Sequence, residues 1–204
     1  DIGARSKEEV LEMGVHVGSV ITFNDELTEL NKKFYSGRAL DNRIGGYMIA
    51  EVARLLKEQQ VELPFGLYIV NAVQEEIGLR GAEMIAARIK PDVAIITDVC
   101  HDTTAPMYSK IASGDYTAGK GPVLTCGAAV HKKLLDLIID SAKKEDIPFQ
   151  RSASSRSTGT DTDAFAYSNG GVPAALISLP LKYMHTTVET ASKEDIKNVI
   201  DLMI

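Results

Sequence analysis

The chain has 204 residues, of which 45% are hydrophobic and 25% charged, and its formal net charge is −6. This composition is typical of a globular protein with one large domain, and the acidic balance argues against nucleic acid or an anionic membrane as a partner. No apolar run approaches the length of a bilayer span, and two cysteines without a CxxC pair favour a reducing, cytoplasmic compartment.

Residues 1–35 differ in pattern from the rest of the chain. The charged segment Ser6 to Gly14 has room for about one helical turn, and Val15 to Phe23 alternates as a strand does around a Gly-Ser turn. The chain starts at Asp1 without a methionine. We therefore interpret residues 1–35 as the end of a β-rich domain whose beginning is absent, and residues 36–204 as part of a second domain.

From residue 36 onward, helical and β patterns alternate. Apolar residues at helical spacing predict helices over Asp41 to Glu58, Arg80 to Ile89, Ala128 to Lys144, Ala164 to Tyr167, and from Lys193. Apolar runs predict strands over Pro64 to Val73, Asp92 to Val99, near Phe149, and over Val172 to Leu179. Residues 100–127 and the polar run 151–163 are predicted loops. Strands separated by helices predict an α/β fold, with a mixed, mostly parallel sheet and helices on both faces.

Acidic residues and a histidine fall where the predicted strands end. Glu75 and Glu76 follow one strand, Asp98 ends the next, and His185 lies in the loop after the last. Ligands bind at this edge in open α/β sheets. An isolated Glu-Glu pair is more often solvated, and Asp41 at a helix start is more often a cap. Together, however, these positions favour a metal site, and their oxygen-rich set suits two divalent cations that share a carboxylate.

Five segments of the chain carry a resemblance to a known family: GRALDNRIGG, VQEEIGLRGA, ITDV, GTDTDAFAYSNGGVP and KYMHTTVET. They resemble the M42 family of dinuclear metallo-aminopeptidases, which includes glutamyl and leucyl aminopeptidases and the tetrahedral peptidases. DIGARSKEE and VHVGSVITF resemble the return strands of that family's inserted β-barrel domain, so the resemblance covers nearly the whole chain. It implies a zinc-exopeptidase-like catalytic domain, peptide substrates, and a homo-oligomer based on dimers, with a dodecamer among the expected sizes.

The resemblance also implies roles for individual residues. Asp41 is expected to bridge two divalent ions, zinc or cobalt, and Glu76 and His185 are expected to complete one of the two sites. Asp98 is expected to bind the second ion. Glu75 is expected to be the general base that activates the attacking water.

Two further expectations follow from the same resemblance. The motif Gly159-Thr160-Asp161 is expected to lie near the substrate pocket. The peptide bond between Asp41 and Asn42 is expected to be cis, which aims the bridging aspartate.

The sequence departs from the family pattern most clearly in one ligand. The family's remaining histidine ligand belongs to an upstream His-x-Asp motif, which is missing here, since His16, His101 and His131 lie in other contexts. His131 is expected on a helix surface. Three departures are milder: Thr158 stands where glycine is usual, Lys182 where arginine is common, and Thr187 where proline is frequent. We therefore expect these 204 residues alone to bind at most one metal ion tightly and to have little peptidase activity.

The predicted chemistry follows from the Glu75-Glu76 pair. Peptide hydrolysis at neutral pH needs an activated water, and a divalent ion lowers the pKa of bound water to near 7. Adjacent carboxylates on an extended chain point in opposite directions, so we expect Glu76 to face the metal and Glu75 to face the water and substrate. The resemblance, not the spacing, implies removal of the N-terminal residue of a peptide.

Two alternatives stay open at the level of sequence. A glycoside hydrolase also uses two carboxylates, but these must lie roughly 5 to 10 Å apart across the scissile bond, and neighbours such as Glu75 and Glu76 are poorly placed for that. A non-catalytic member of an oligomeric shell is the second alternative, suggested by the missing histidine.

Overall fold

Several helices begin directly after a polar side chain that caps their first turn. The Ser192 hydroxyl accepts a hydrogen bond from the N–H of Asp195, and the His131 ring accepts one from the N–H of Leu134. Such caps satisfy donors that have no partner within the helix. The computed structural model describes residues 1–106 and 108–204. Its helices are α1 (Lys7–Glu12), α2 (Leu40–Glu58), α3 (Arg80–Ile89), α4 (Lys110–Ser113), α5 (Lys132–Lys144), α6 (Asp161–Ala166) and α7 (Lys193–Met203).

The strands form one mixed sheet. They are β1 (Thr28–Leu30), β2 (Phe34–Gly37), β3 (Ala94–His101), β4 (Val123–Gly127), β5 (Gln150–Ser154), β6 (Ala174–Lys182) and β7 (Glu189–Ser192). Their order is β1-β2-β7-β6-β4-β5, and β3 also pairs with β6. The β3–β6 and β4–β5 pairs are parallel, whereas the other neighbours are antiparallel. The predicted mixed sheet is confirmed, and each of its antiparallel ladders joins at most four residues of each strand.

Strand β6 is the centre of both the sheet and the core. Its residues 174–181 are buried, and it pairs with β3, β4 and β7. Helices α2, α5 and α7 pack on one face of the sheet and α3 and α6 on the other, so the predicted cover on both faces is confirmed. The apolar stripes of α2, α5 and α7 join the core cluster. None of the helices in the described ranges is long and apolar enough to cross a membrane.

Two segments predicted as strands are not strands. Residues 15–23 and 64–73 have no ladder partner among the described residues, and their apolar side chains are exposed, for example Val20 at 89% and Phe65 at 62%. A strand persists only where its backbone N–H and C=O groups pair with a neighbour. β-branched composition alone therefore gave the wrong structure for both segments.

Other predicted elements are present with different bounds. β3 continues to His101, so Asp98 lies inside the strand rather than at its end. α5 begins at Lys132, not Ala128, because His131 is its N-cap rather than a residue of the helix surface. The segments predicted as loops contain short elements: α4, β4, β5, β7 and the start of α6.

The N-terminal hairpin is attached to the main sheet. β1 pairs with β2, and β2 pairs with β7 in a register that sets Gly37 opposite Glu189. This pairing brings the chain into α2 beside the start of β7. The division of the chain into residues 1–35 and 36–204 stays a prediction.

Candidate metal centre

Three separate elements bring an aspartate, a glutamate and a histidine together. Asp41 lies in the first turn of α2, Glu76 in the turn before α3, and His185 in the loop between β6 and β7. The Nε2 atom of His185 is 3.0 Å from Oδ2 of Asp41 and 3.4 Å from Oε2 of Glu76. One ligand atom from each residue lies within 4.8 Å of the other two, which is a donor set that fits a divalent cation.

The first turn of α2 is distorted at the ligand. Asp41 (φ −81°, ψ 107°) and Asn42 (φ −118°, ψ 49°) are non-helical, and Ala39 before them is left-handed. The Asp41–Asn42 peptide bond is cis, as the family resemblance implies. The Asp41 side chain is 9% exposed, and its Oδ2 faces Nε2 of His185.

Asn42 connects this turn to Asp98. Its amide nitrogen donates to Oδ1 of Asp98 (3.0 Å) and to the carbonyl of Thr97 (3.1 Å), and its oxygen accepts from the N–H of Gly45 (2.8 Å). Asp98 itself is buried and also accepts the N–H of Val99 (2.8 Å). Asp98 therefore lies next to the cluster of three, although it is not a member of it.

Glu75 lies in a turn, not at the end of a strand. Its carbonyl accepts hydrogen bonds from the N–H groups of Gly78 (3.0 Å) and Leu79 (3.1 Å), which reverse the chain into α3. The Glu75 side chain is half-buried, and burial together with the neighbouring charge of Glu76 raises its pKa to about 7. Glu76, by contrast, is exposed and in contact with His185.

The carboxylates of this region are crowded and poorly solvated. Burial, and then the charge of Glu76, raise the pKa of Asp41 to about 6. Burial raises the pKa of Asp98 to about 8, with the charges of Glu75 and Asp41 acting in the same direction. Several acids that resist ionisation beside one another mark a place where a cation would be stabilised.

The Gly159-Thr160-Asp161 motif lies close enough to Glu75 and Asp98 for the charge of Asp161 to act on both. Thr160 caps α6, and Asp161 is its first residue. Burial raises the pKa of Asp161, and its charge in turn raises the pKa of Glu75 and of Asp98. Within the described part of the chain, Oδ1 of Asp161 is buried and has no hydrogen-bond partner. This aspartate therefore keeps a free acceptor near the other acids.

The sequence did not reveal two residues that support the cluster. Asn42 is one of them, and the other is Glu189, which is 2% exposed and accepts the backbone N–H groups of Asp41 and His185. A charged residue at the start of the buried run ETAS is a signal that was available. Its partner Asp41 lies 148 residues away, and no local pattern indicates that.

The chain matches a known protein family along its length. The family model for M42 glutamyl aminopeptidase matches residues 1–202. A curated relative, the lysyl aminopeptidase of Pyrococcus furiosus, is 39% identical over 202 residues, which cover 99% of this chain and 56% of that protein. The chain thus spans little more than half the length of this relative.

Solved structures give the same result for the fold. The TET aminopeptidase of a marine sediment Thaumarchaeota archaeon superposes with a TM-score of 0.93 at 34% identity, over 100% of this chain and 58% of that one. The TET1 peptidase of Pyrococcus horikoshii, described as assembling into a tetrahedron or a large octahedral shell, superposes with a TM-score of 0.80 at 29% identity, over 100% and 58%.

Proposed function

Because the chain belongs to the M42 glutamyl aminopeptidase family, we propose that it is part of a metal-dependent aminopeptidase that removes the N-terminal residue of peptides. The observation that carries this proposal is the grouping of Asp41, Glu76 and His185, with ligand atoms within 4.8 Å of one another. The curated relative is itself an aminopeptidase. The preferred N-terminal residue is left open.

The geometry supports three of the four proposed metal ligands. Asp41, Glu76 and His185 would hold one divalent cation, zinc or cobalt, and Asp98 would contribute with Asp41 to a second. A divalent cation bound there lowers the pKa of a water ligand to near 7 and so makes it a nucleophile at neutral pH. The raised pKa values of Asp41 and Asp98 support this assignment, since a cation offsets both the burial and the repulsion that raise them.

Glu75 is the proposed general base. A base that takes a proton from water works best when its pKa is near the operating pH, and the pKa of Glu75 is about 7. Its carboxylate is half-buried beside Glu76, which contacts His185, so base and ligand are supplied by neighbouring residues. Gly159, Thr160 and Asp161 are the proposed substrate side of the site, because Asp161 keeps a free acceptor there.

The proposed setting is a cytoplasmic homo-oligomer built from dimers, with a dodecamer as one possible size. The described assembly of the Pyrococcus horikoshii TET1 peptidase into a shell supports the proposal of a homo-oligomer. The net charge of −6 fits a protein without nucleic acid or membrane as a partner.

The test uses the protein expressed from its complete gene. It is expected to release p-nitroaniline from aminoacyl p-nitroanilides but not from the matched N-acetylated compounds. A chelator is expected to abolish the activity, and added Zn²⁺ or Co²⁺ to restore it. No hydrolysis by a folded, metal-loaded protein across a panel of all amino-acid side chains would favour the non-catalytic alternative. Release of reducing sugar that survives the chelator would favour the glycoside hydrolase.

A further inference from the structure

Glu189 connects two of the proposed metal ligands through their backbones. The residue is the first of β7, and its side chain is 2% exposed. Its Oε2 accepts the N–H of Asp41 (3.0 Å), and its Oε1 accepts the N–H of His185 (2.7 Å). A buried carboxylate is costly without such partners, so both bonds are needed to keep it in place.

The two N–H groups that Glu189 accepts have few other ways to be satisfied. Asp41 lies in the first turn of α2, where the backbone donors have no carbonyl one turn earlier in the helix. His185 has a φ of 63°, in the left-handed region, which costs energy in a residue with a side chain and persists only where the surroundings hold it. The carboxylate of Glu189 stabilises both unusual conformations at once.

The backbone of Glu189 is itself held firmly. It stands opposite Gly37 in the β2–β7 ladder, and the following residue, Thr190, pairs with Lys182 of β6. β7 thus lies between two strands of the main sheet. A side chain that projects from this strand is a fixed point relative to both the start of α2 and the loop after β6.

We propose that Glu189 is a positioning residue of the metal centre. Because its carboxylate accepts the N–H groups of both Asp41 and His185, it holds Oδ2 of Asp41 and Nε2 of His185 at the observed 3.0 Å. The proposal rests on the proposed function only in taking Asp41 and His185 as ligands. It assigns no contact between Glu189 and the metal or the substrate.

Two substitutions separate positioning from charge. Glu189→Gln keeps the length of the side chain but replaces one acceptor oxygen by an amide that cannot accept an N–H. Glu189→Asp keeps the charge, but its shorter side chain cannot reach both N–H groups. Asp195→Asn is the matched control, because Asp195 is also fully buried and accepts two backbone N–H groups, from Gly119 (2.6 Å) and Gly121 (2.7 Å).

The experiment is a titration of the metal-stripped protein, expressed from its complete gene, with Co²⁺. It records affinity and the visible absorption spectrum, while circular dichroism and thermal melting confirm the fold. Both Glu189 variants are expected to lose about 10-fold or more in Co²⁺ affinity, the range typical of groups that orient metal ligands, and to change the spectrum. Asp195→Asn is expected to lower the melting temperature but to leave affinity and spectrum unchanged.

Four results would overturn the proposal. Affinity and spectrum like those of the wild type in both folded Glu189 variants would show that the bonds do not position the ligands. An effect of Glu189→Gln alone would assign the residue a purely electrostatic role. An equal loss in Asp195→Asn would show general destabilisation, and failure of both Glu189 variants to fold would assign Glu189 to the fold. If the wild type itself binds no Co²⁺, the proposed metal site fails instead, which is a separate result.

Discussion

At the scale of single residues, the proposed division of roles between Glu75 and Glu76 can be tested directly. Glu75→Gln is expected to keep the fold and the bound metal while lowering kcat by roughly 10²-fold or more, because an amide cannot accept a proton from water. Steady-state kinetics and metal analysis of the same sample measure both quantities. Glu83→Gln, at an exposed position in α3, is the control. Near-normal turnover of Glu75→Gln with metal bound would contradict the role of Glu75.

The neighbouring residue is expected to behave differently. Glu76→Ala removes a carboxylate whose Oε2 is 3.4 Å from Nε2 of His185, so the loss should appear in metal content. We expect the variant to retain less metal after dialysis than the wild type and to regain activity partly at high metal concentration. Metal analysis before and after dialysis measures this. Full occupancy in Glu76→Ala would remove Glu76 from the ligand set.

The raised pKa values predict how the metal-free protein responds to pH. Asp41, Glu75 and Asp98, with pKa values of about 6, 7 and 8, keep their protons longer in the folded chain than in the unfolded one. The folded state therefore binds more protons, and the free energy of unfolding falls as the pH rises from about 4 to about 8. In chelator, the melting temperature should be about 4 °C or more lower at pH 8 than at pH 5.

Asp98→Asn provides the control for that pH effect. The substitution removes the acid with the highest of the three pKa values, so the dependence on pH should become shallower. Saturating Zn²⁺ should also flatten it in the wild type, since the cation replaces the protons. A melting temperature that rises between pH 5 and pH 8 without metal would contradict the raised pKa values.

The sequence predicts the candidate ligands better than it predicts the residues that would orient them. Asp41, Glu76 and His185 lie together, as predicted. They could be predicted because acids and histidines at the edge of a sheet have few structural reasons to be there. Glu189 and Asn42 act through hydrogen bonds to partners that are distant in sequence. Residue type alone does not indicate such bonds.

At the scale of elements, the turn that carries Glu75 and Glu76 depends on Gly81. A Cβ at Gly81 would lie 2.4 Å from the carbonyl oxygen of Val73 and 2.5 Å from its nitrogen. Gly81→Ala must therefore move the start of α3 away from Val73, at a cost of about 1–3 kcal/mol, and displace Glu76 with it. Chemical denaturation and Co²⁺ titration should both show a loss.

Gly66→Ala is the matched variant for this prediction. Its Cβ would meet an atom of Tyr68 at an ordinary 3.8 Å, in an exposed part of the segment 64–73. Stability and metal affinity are expected to stay within error of the wild type. Equal effects of the two substitutions would show that the close approach of Gly81 to Val73 does not determine the position of the turn.

The elements that the sequence predicts best are the long ones. α2, α5 and α7 each repeat their apolar stripe over several turns, so their helical spacing can be recognised in the sequence. β4 and β7 have five and four residues and become strands because neighbouring strands pair with them: β4 lies between β5 and β6, and β7 lies between β2 and β6. Residues 64–73 were predicted as a strand and are not one for the same reason, since strand pairing is decided by tertiary structure and not by composition.

At the scale of the whole molecule, one sheet brings the site together from both ends of the chain. β2 precedes Asp41 and β7 follows His185, and these two strands are hydrogen-bonded neighbours. The alternation of helical and strand patterns predicted the α/β fold, and the family resemblance supplied the candidate ligands. It did not predict this pairing, because strand order depends on contacts between residues more than 150 positions apart.

The last prediction concerns how many metal ions these 204 residues hold on their own. Asp41, Glu76 and His185 form the group of three that the described residues bring within 4.8 Å, and three protein ligands plus water is a normal set for a catalytic zinc. Asp98 lies beside that group but adds only one carboxylate to Asp41 for a second ion. Two ligands do not offset the dehydration of a cation well, so we expect one equivalent of Zn²⁺ to survive gel filtration, with little peptidase activity. His185→Ala should reduce this to well below one equivalent, whereas two tightly held equivalents in the unmodified 204-residue chain would contradict the prediction.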